Sequence, residues 1–315
     1  MAATQLFLGQ TGLIQHPQYP NVYDKTMDMY ARREDNVPIQ GAQFFQEDTA
    51  ETLEHKIATY GSVLKVLRRR DDSDRLPFEQ PADGYDQTLN IRTFRMGTRF
   101  TQTIEKIDRS GKLRRMAMQG LPDALRRTLE FAYADIINNG STTEGADGSN
   151  LFASDHYHED PDAGQWSNSE TGAALTSTSY NTMRVNMRKR TNEKGYVAPI
   201  TLKKLIVSPD NEQKALEIRG SSQTPETSTN AVNVWQNRFD VVVWDYLTST
   251  TAWYGWGDLI EDMWGLHVAF LTRPEVVSLG YPSAEYPRIK AGWEAYMQFA
   301  VAGSQLKNMH KNAGA

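Results

Sequence analysis

Arg109 to Asn139, RSGKLRRMAMQGLPDALRRTLEFAYADIINN, is the stretch on which the fold turns. Leu113, Ala117, Leu121, Leu125, Leu129, Ala132 and Ile136 recur every three or four residues and so share one face of a helix. Arg114, Arg115, Asp123, Arg126, Arg127, Glu130 and Asp135 fall mostly elsewhere. Ser110 stands where an N-cap is needed, and Gly140 where a helix stops. Pro122 lacks the N–H that a helix interior uses, so a kink or a restart near Gly120 is expected. As one rod the segment spans roughly 45 Å at 1.5 Å per residue, longer than a small domain is wide.

Upstream of the helix, Ser62–Leu67 reads as a strand, and Tyr85–Thr93 alternates with period two, placing Tyr85, Gln87, Leu89, Ile91 and Thr93 on one face. Arg99–Ile107 continues in the same style. Between the first two strands lie Arg68, Arg69, Arg70, Asp71, Asp72, Asp74 and Arg75, followed by Pro77, Pro81 and Gly84. A tip of some 17 residues is long for a hairpin loop inside a compact domain. Its two signs of charge suit a protein partner more than a phosphate backbone, which makes Arg68–Asp72, Asp74 and Arg75 the candidates for subunit contact. Further upstream, Asp48 with Glu51 three residues on reads as the capping box of a short helix that carries Leu53, Ile57 and Tyr60 and ends at Gly61. Residues 1–47 are rich in Gln, Pro, Tyr and Gly. Pro17, Pro20 and Pro38 forbid a long helix there, so the segment reads as an extended arm that something else must hold.

Downstream, Gly140 to about Thr176 is irregular and full of Gly, Ser, Asp and Asn. Ser179–Thr191 is expected to be helical, Lys204–Val207 to be a buried strand, and Asp210–Arg219 to be a short helix capped by Asp210. Ser221–Asn230 is a polar loop. Phe239–Leu247 and Ala252–Trp256 read as paired strands, and Leu266–Leu271, Val276–Leu279 and Ala295–Val301 as further strands. From Ser304 the chain reads as a polar tail. The class is mixed α+β, without alternating βαβ order.

A chain of 315 residues holds two ordinary domains or one large, extended one. A formal charge of −5 argues against a dedicated nucleic-acid binder. With no cysteine, disulfides and thiolate metal sites are excluded. No apolar run approaches the length of a membrane span. Met1-Ala2-Ala3-Thr4-Gln5-Leu6 shows no basic segment leading into an apolar core, so it does not read as a signal peptide, and folding in the cytosol is expected.

The most metal-like cluster is Asp155-His156-Tyr157-His158-Glu159-Asp160, two imidazoles among carboxylates. It falls in the least regular part of the chain, whereas a metal site needs a rigid outer shell. The favoured reading is a solvated or interface loop, with neither histidine a ligand. Asp147-Gly148-Ser149-Asn150 resembles part of a calcium loop but lacks the bidentate Glu at its offset. Arg68–Arg70, Lys112–Arg115 and Arg188–Arg190 are basic, on three separate elements. Trp235, Trp244, Trp253, Trp256, Trp264 and Trp293 crowd the last third, and at strand spacing such residues build a core or an interface more often than a sugar platform. Glu261 and Asp262 are adjacent and point apart. Glycine-rich phosphate loops, nucleophile elbows and helical His-Glu-x-x-His patterns are all missing. Neither a catalytic nor a cofactor-binding residue is assigned.

Taken in order, these pieces resemble a tailed-phage major capsid protein of the Hong Kong 97 fold, closest to the Mu-type major head subunit. The arm (1–47), the charged strand–loop–strand (62–107) and the long helix (109–139) follow that order. Asp147-Gly148-Ser149-Asn150-Leu151-Phe152 before Asp155-His156 is similar to the family's Asp-Gly-x-x-Leu-Phe…His segment. Leu205-Ile206-Val207-Ser208-Pro209 is similar to its strand ending in proline. Phe239–Val243 and Ala252-Trp253-Tyr254 are similar to the strands that follow. The resemblance implies an N-terminal arm, an extended E-loop, a P-domain built from 48–164 and 259–315 around a spine helix, and an A-domain at 165–258. It implies a non-enzymatic subunit that forms hexamers and pentamers, closes an icosahedral shell around double-stranded DNA in the host cytoplasm, and ends in the virion. It also implies a portal and leaves room for a decoration protein. Only about 47 residues precede the first capped helix, too few for a fused scaffold, so a separate scaffolding protein is expected. An encapsulin-like compartment is the alternative within the fold. A metal-dependent hydrolase using His156 and His158 is the alternative outside it.

Overall fold

The computed structural model describes residues 39–61, 82–101, 112–158, 160–224, 231–258, 265–280 and 289–315. In chain order the strands and helices are β1 (Phe45–Thr49), β2 (Glu54–Gly61), β3 (Ala82–Asn90), β4 (Arg92–Thr101), α1 (Lys112–Asn138) and the two-residue strands β5 (His156–Tyr157), β6 (Gln165–Trp166) and β7 (Ser169–Glu170). Then come α2 (Ser177–Arg188), β8 (Leu202–Val207), α3 (Glu212–Gly220), β9 (Asp240–Val243) and β10 (Trp253–Gly257). The chain ends with β11 (Leu266–Gly280), β12 (Ile289–Gly303) and β13 (Met309–Asn312). Helices and strands are mixed, but βαβ order, not expected from the sequence, is present locally: β8, α3 and β9 form a strand–helix–strand unit whose two strands pair parallel. No helix among the described residues is long and apolar enough to cross a membrane.

The described residues fall into two compact units. The first lies within Ile91–Glu130 and Phe270–Phe299; the second lies within Gln40–Asn90, Phe131–Ala269 and Ala300–Ala315. In the first, β4 and β12 pair antiparallel, with Thr98 opposite Trp293 and Phe94 opposite Met297. Trp293, Ala295, Met297 and Phe299 are buried while Glu294, Tyr296 and Gln298 between them are half-buried, the period-two signature of a strand with one core face. Phe299 stacks on Phe94 at 4.8 Å between ring centroids. On the other side of β12, Glu294 pairs with Arg95 at 2.7 Å and Gln298 donates to Thr93 at 2.9 Å. Leu121, Leu125 and Leu129 of α1 are buried, as their spacing requires.

α1 runs through Pro122 as one helical span, so the restart expected at Gly120 is not seen. The proline removes one backbone bond. Buried Leu121, Leu125 and Leu129 supply the tertiary packing that holds a helix when local bonding falls short.

The second unit is organised by a five-stranded sheet in the order β7-β13-β10-β8-β9. β10 is antiparallel to both β13 and β8, while β9 runs parallel to β8 and β7 parallel to β13. Tyr180, Met183 and Met187 of α2 pack with Leu205, Val207, Ile218 and Trp253 in one core. Gly255 of β10 is required by that packing: a Cβ there would stand 2.5 Å from Met183 Sδ and 2.7 Å from Leu202 Cδ1. Asn138, at the end of α1, donates to Tyr246 O and accepts from Thr248 N, both at 3.0 Å.

Several expected elements are placed differently. The helix expected to start at Asp48 is instead β1 and β2. Asp48 takes a hydrogen bond from His267 Nδ1 at 3.0 Å rather than capping a helix, and β2 and β3 form a separate antiparallel ribbon. The helix expected at Ser179 starts two residues earlier, set by a capping box in which Thr176 accepts from Ser179 N and Ser179 Oγ accepts from Thr176 N. Asp210 caps nothing; it lies in a 3₁₀ turn before α3, and Asn211, at the cap position, spends its side chain on Thr250 O. β9 and β10 do not pair with each other, because β8 lies between them. The strands expected on either side of Pro274 are one strand, β11, with Pro274 exposed inside it.

Candidate functional site

The loop after α1 is tied by its own backbone. Phe152 N donates to Gly140 O and Leu151 N to Thr143 O, each at 2.8 Å, which sinks Leu151 and Phe152 into the core. Gly148 turns the loop at φ +74°, a conformation that suits glycine. Asp147 accepts from Ser149 N with one oxygen and faces His156 Nδ1 at 2.7 Å with the other. His156 Nε2 faces Asn168 Oδ1 at 3.0 Å, and its ring stacks on Trp166 at 4.2 Å. Both ring nitrogens are therefore held by side chains of the same unit. Asn168, fully buried, donates to Leu151 O and accepts from Ala153 N, closing the loop onto β5–β6.

His158, two residues on, points into a second cluster. Its Nδ1 lies 3.2 Å from Glu193 Oε2 and its Nε2 lies 3.0 Å from Thr191 Oγ1. The other Glu193 oxygen is paired with Lys307 Nζ, and both of those side chains are fully buried. Burial pushes the Glu193 carboxyl up, but the His158 hydrogen bond and the Lys307 ammonium outweigh it and hold the group below its usual value. Next to this pair, buried Arg190 donates to the carbonyls of Lys307, Met309 (3.0 Å) and Ser167 (3.4 Å) and to His310 Nδ1 (2.6 Å). His310 must accept that bond, so its proton sits on Nε2, 3.4 Å from Glu170 Oε1. Burial pushes the His310 imidazole down to about 4; Glu170 resists this and Arg190 adds to it. The His310 ring in turn holds Glu170 below the usual carboxylate value.

All of these groups converge on the last strand. The polar tail expected from Ser304 is in fact buried: Ser304 to His310 are all inaccessible, and β13 pairs with β10 on one side and β7 on the other. Lys311 reaches back to Ser141 Oγ at 2.8 Å, and Asn312 Oδ1 accepts from Ala173 N at 2.9 Å. Buried charges persist only when paired and hydrogen-bonded, and here Lys307 meets Glu193 across 114 residues of sequence and Arg190 meets the Lys307 carbonyl across 117. The arrangement locks tertiary structure. Catalysis would need substrate to reach the His158–Glu193–Lys307 group, whose side chains are 0% exposed.

The other sequence candidates separate cleanly. Arg68, Arg69, Arg70, Asp71, Asp72, Asp74 and Arg75 lie outside the described residues, as do Glu159, Glu261, Asp262 and Trp264. His156 and His158 belong to the core, not to a solvated loop, while Asp155 and Asp160 are exposed, Asp160 accepting from Asp162 N. No group of three or more His, Asp or Glu among the described residues is arranged to hold a metal ion. Arg188 and Lys189 are exposed but Arg190 is internal, so the three do not form one basic surface. Trp244, Trp253 and Trp293 are fully buried. Trp235 lies under Arg184 and Trp256 under Lys204. Sequence reasoning missed Asn168, Arg190 as a core residue, Glu193, Lys307 and His310. Nothing local marks them, because polar residues are the expected surface residues and their partners are remote.

The family model described as "Phage capsid protein" matches residues 86–288, well over half of the chain. No curated protein sequence matches it. Among solved structures, the capsid of a native gene-transfer-agent (GTA) particle matches with a TM-score of 0.56 at 11% identity, over 89% of this chain and 91% of that one. Mycobacterium phage Patience matches at 0.55 and 10% identity, over 94% and 88%. The virus-like particle from Pyrococcus furiosus matches at 0.53 and 9% identity, over 92% and 99%. At such identities the likeness is one of fold.

Proposed function

Because the chain belongs to the phage capsid protein family, we propose that it is the major head subunit of a tailed phage, assembling as hexamers and pentamers into an icosahedral shell around double-stranded DNA. The observation that carries this reading is the family match across residues 86–288. In this reading α1 is the spine helix of a Hong Kong 97-type P-domain, residues 165–258 form the A-domain, and residues 1–47 form the arm. The Mu-type head subunit is the branch we favour, on Asp147-Gly148…Leu151-Phe152…His156. The β2–β3 ribbon fits the role of an E-loop stem. It is a two-stranded element that buries Ile57 and Leu89, and such ribbons are marginal alone in water. The residues between β2 and β3 in sequence include Arg68–Arg75, whose charges we assign to contacts with a neighbouring subunit. A separate scaffolding protein, a portal and a decoration protein are the partners this role calls for.

Electron microscopy of the expressed subunit tests the reading. Sheets, tubes or shells are expected, and a protein that stays monomeric at high concentration contradicts it. Replacing Arg68, Arg69 and Arg70 together by Ala should leave a folded subunit that forms shells poorly. The likeness to the Pyrococcus furiosus virus-like particle favours one alternative, a self-closing compartment of the encapsulin kind. Uniform closed shells from this chain alone, with no scaffolding protein, would select it.

A further inference from the structure

One cleft of the second unit is chemically unbalanced. It has a volume of about 340 Å³ and is lined by Gln165, Trp166, Asn186, Lys189, Arg190 and His310, with Ser167 and Thr191. No carboxylate lines it. Arg190 is 4% exposed and Trp166 6% exposed. Each carries a buried donor, Arg190 Nε and Trp166 Nε1, that has no partner among the described residues. Such orphans are costly when left dry.

The Arg190 guanidinium is also short of counter-charge. Its Nη atoms bond the Ser167, Lys307 and Met309 carbonyls and the His310 ring, all neutral acceptors. Glu193 is committed to Lys307 and His158. Glu170 stands at the border of the cleft, beyond the His310 ring, and is already engaged by Asn186, Asn312 and His310. Burial pushes Arg190 down to about 9, and Glu170 offsets this only in part. Lys189 adds a second cation, exposed at the rim. The end of α2 borders the same region; its Val185, Asn186 and Met187 carbonyls and that of Arg190 accept from the amides of Lys189, Ile200 and Ala198, and the negative helix end is a cost that the Arg190 and Lys189 cations must exceed.

We propose that this cleft is an oxyanion site for a phosphate group, held by the Arg190 Nε and Trp166 Nε1 hydrogens with Lys189 closing over it. A planar carboxylate is best bound by the paired donors of a guanidinium fork. Here the Nη donors are spent and a single Nε–H remains. Single donors arriving from β6 and from the end of α2 suit a tetrahedral group whose oxygens point in several directions. The phosphate is either free inorganic phosphate or the phosphodiester of a nucleic acid. The inference does not depend on the chain closing into a shell.

The test is calorimetric titration of the full-length subunit, at constant ionic strength in chloride, with inorganic phosphate in one arm and a short single-stranded DNA oligonucleotide in the other. Saturable binding near the millimolar range is expected in at least one arm. Lys189→Glu and Trp166→Phe should each weaken it roughly tenfold or more, with an unchanged circular dichroism spectrum. Arg188→Glu, a charge change of the same size outside the cleft, should not weaken it. Binding of phosphate alone identifies a site for the free ion, and binding of the oligonucleotide alone a phosphodiester site. Absence of saturable binding in both arms overturns the proposal. So does binding that Lys189→Glu and Trp166→Phe leave intact, or that Arg188→Glu weakens equally.

Discussion

Lys56 and Asp86 pair across the β2–β3 ribbon with side chains 64% and 45% exposed, whereas Lys307 and Glu193 pair with side chains 0% exposed. The chemistry is the same and the consequences are opposite. In the ribbon both charges keep their water, and the pair adds little to stability. In the other pair, at what we call the junction, where His158, Glu193 and Arg190 meet the segment Ser304–Asn312, both have lost it, so each depends on the other and on His158. Among its residues of described burial the ribbon buries only Ile57 and Leu89, while the segment around β13 buries every residue from Ser304 to His310. The first region keeps its charges in water. The second is covered by its own chain.

The largest effect that would break this contrast is deletion of residues 309–315. It removes β13 from between β7 and β10, together with the Met309 carbonyl and His310 ring that Arg190 uses. Loss of the cooperative melting transition is expected; a soluble protein with a normal transition would show that the junction is dispensable. Next is Lys307→Met, which leaves the Glu193 carboxylate buried without its ammonium. A loss of about 3 kcal/mol or more is expected by chemical denaturation. The double variant Glu193→Gln with Lys307→Met should recover much of it, and a single-variant loss below about 1 kcal/mol would refute the coupling.

Acid comes third. His310 titrates near 4 in the folded chain and near its ordinary 6.5 when unfolded. Between those values the unfolded chain binds a proton that the folded one refuses, so stability falls as pH falls through that window. The loss between pH 7 and pH 5 should be roughly 2 kcal/mol from this group. Glu193 and Glu170, both held below the ordinary carboxylate value, extend the loss at lower pH. A His310→Gln variant should show a flatter stability profile from pH 7 to pH 5, and an equal slope would remove His310 as the cause. The smallest effect is expected from Lys56→Ala, which should change the unfolding free energy by less than about 0.5 kcal/mol. A larger change would mean that the ribbon pair is not the solvated contact its exposure indicates.

How legible each region was in the sequence follows the same division. α1 declared itself because Leu121, Leu125, Leu129 and Ile136 answer to one local rule, helical period, and all four are buried. The strand expected at Lys204–Val207 was legible as a short apolar run, and it begins two residues earlier, at Leu202. The apparent helix at Asp48 failed because a capping pattern is only four residues long, and the carboxylate was wanted elsewhere, by His267. The junction was not legible at all. Asp155–Asp160 and the stretch from Ser304 both read as surface, since polar residues are ordinarily solvated. What holds His158 and Lys307 inside is pairing between His158 and Glu193 and between Lys307 and Glu193, contacts 35 and 114 residues apart that leave no periodic trace.

β13 also sets an order in time. The strands that flank it, β7 and β10, and the residues that grip it, Arg190 and Glu193, are all made earlier by a ribosome that reads from the N-terminus. Until residue 312 has been synthesised, β10 keeps one bare edge, and until residues 307 to 310 are made Glu193 and Arg190 wait for their counterparts. A nascent chain therefore cannot present its finished surface early. Prematurely terminated products lack the strand that completes the sheet, and the loss of cooperative folding expected of the 309–315 deletion is expected of them too.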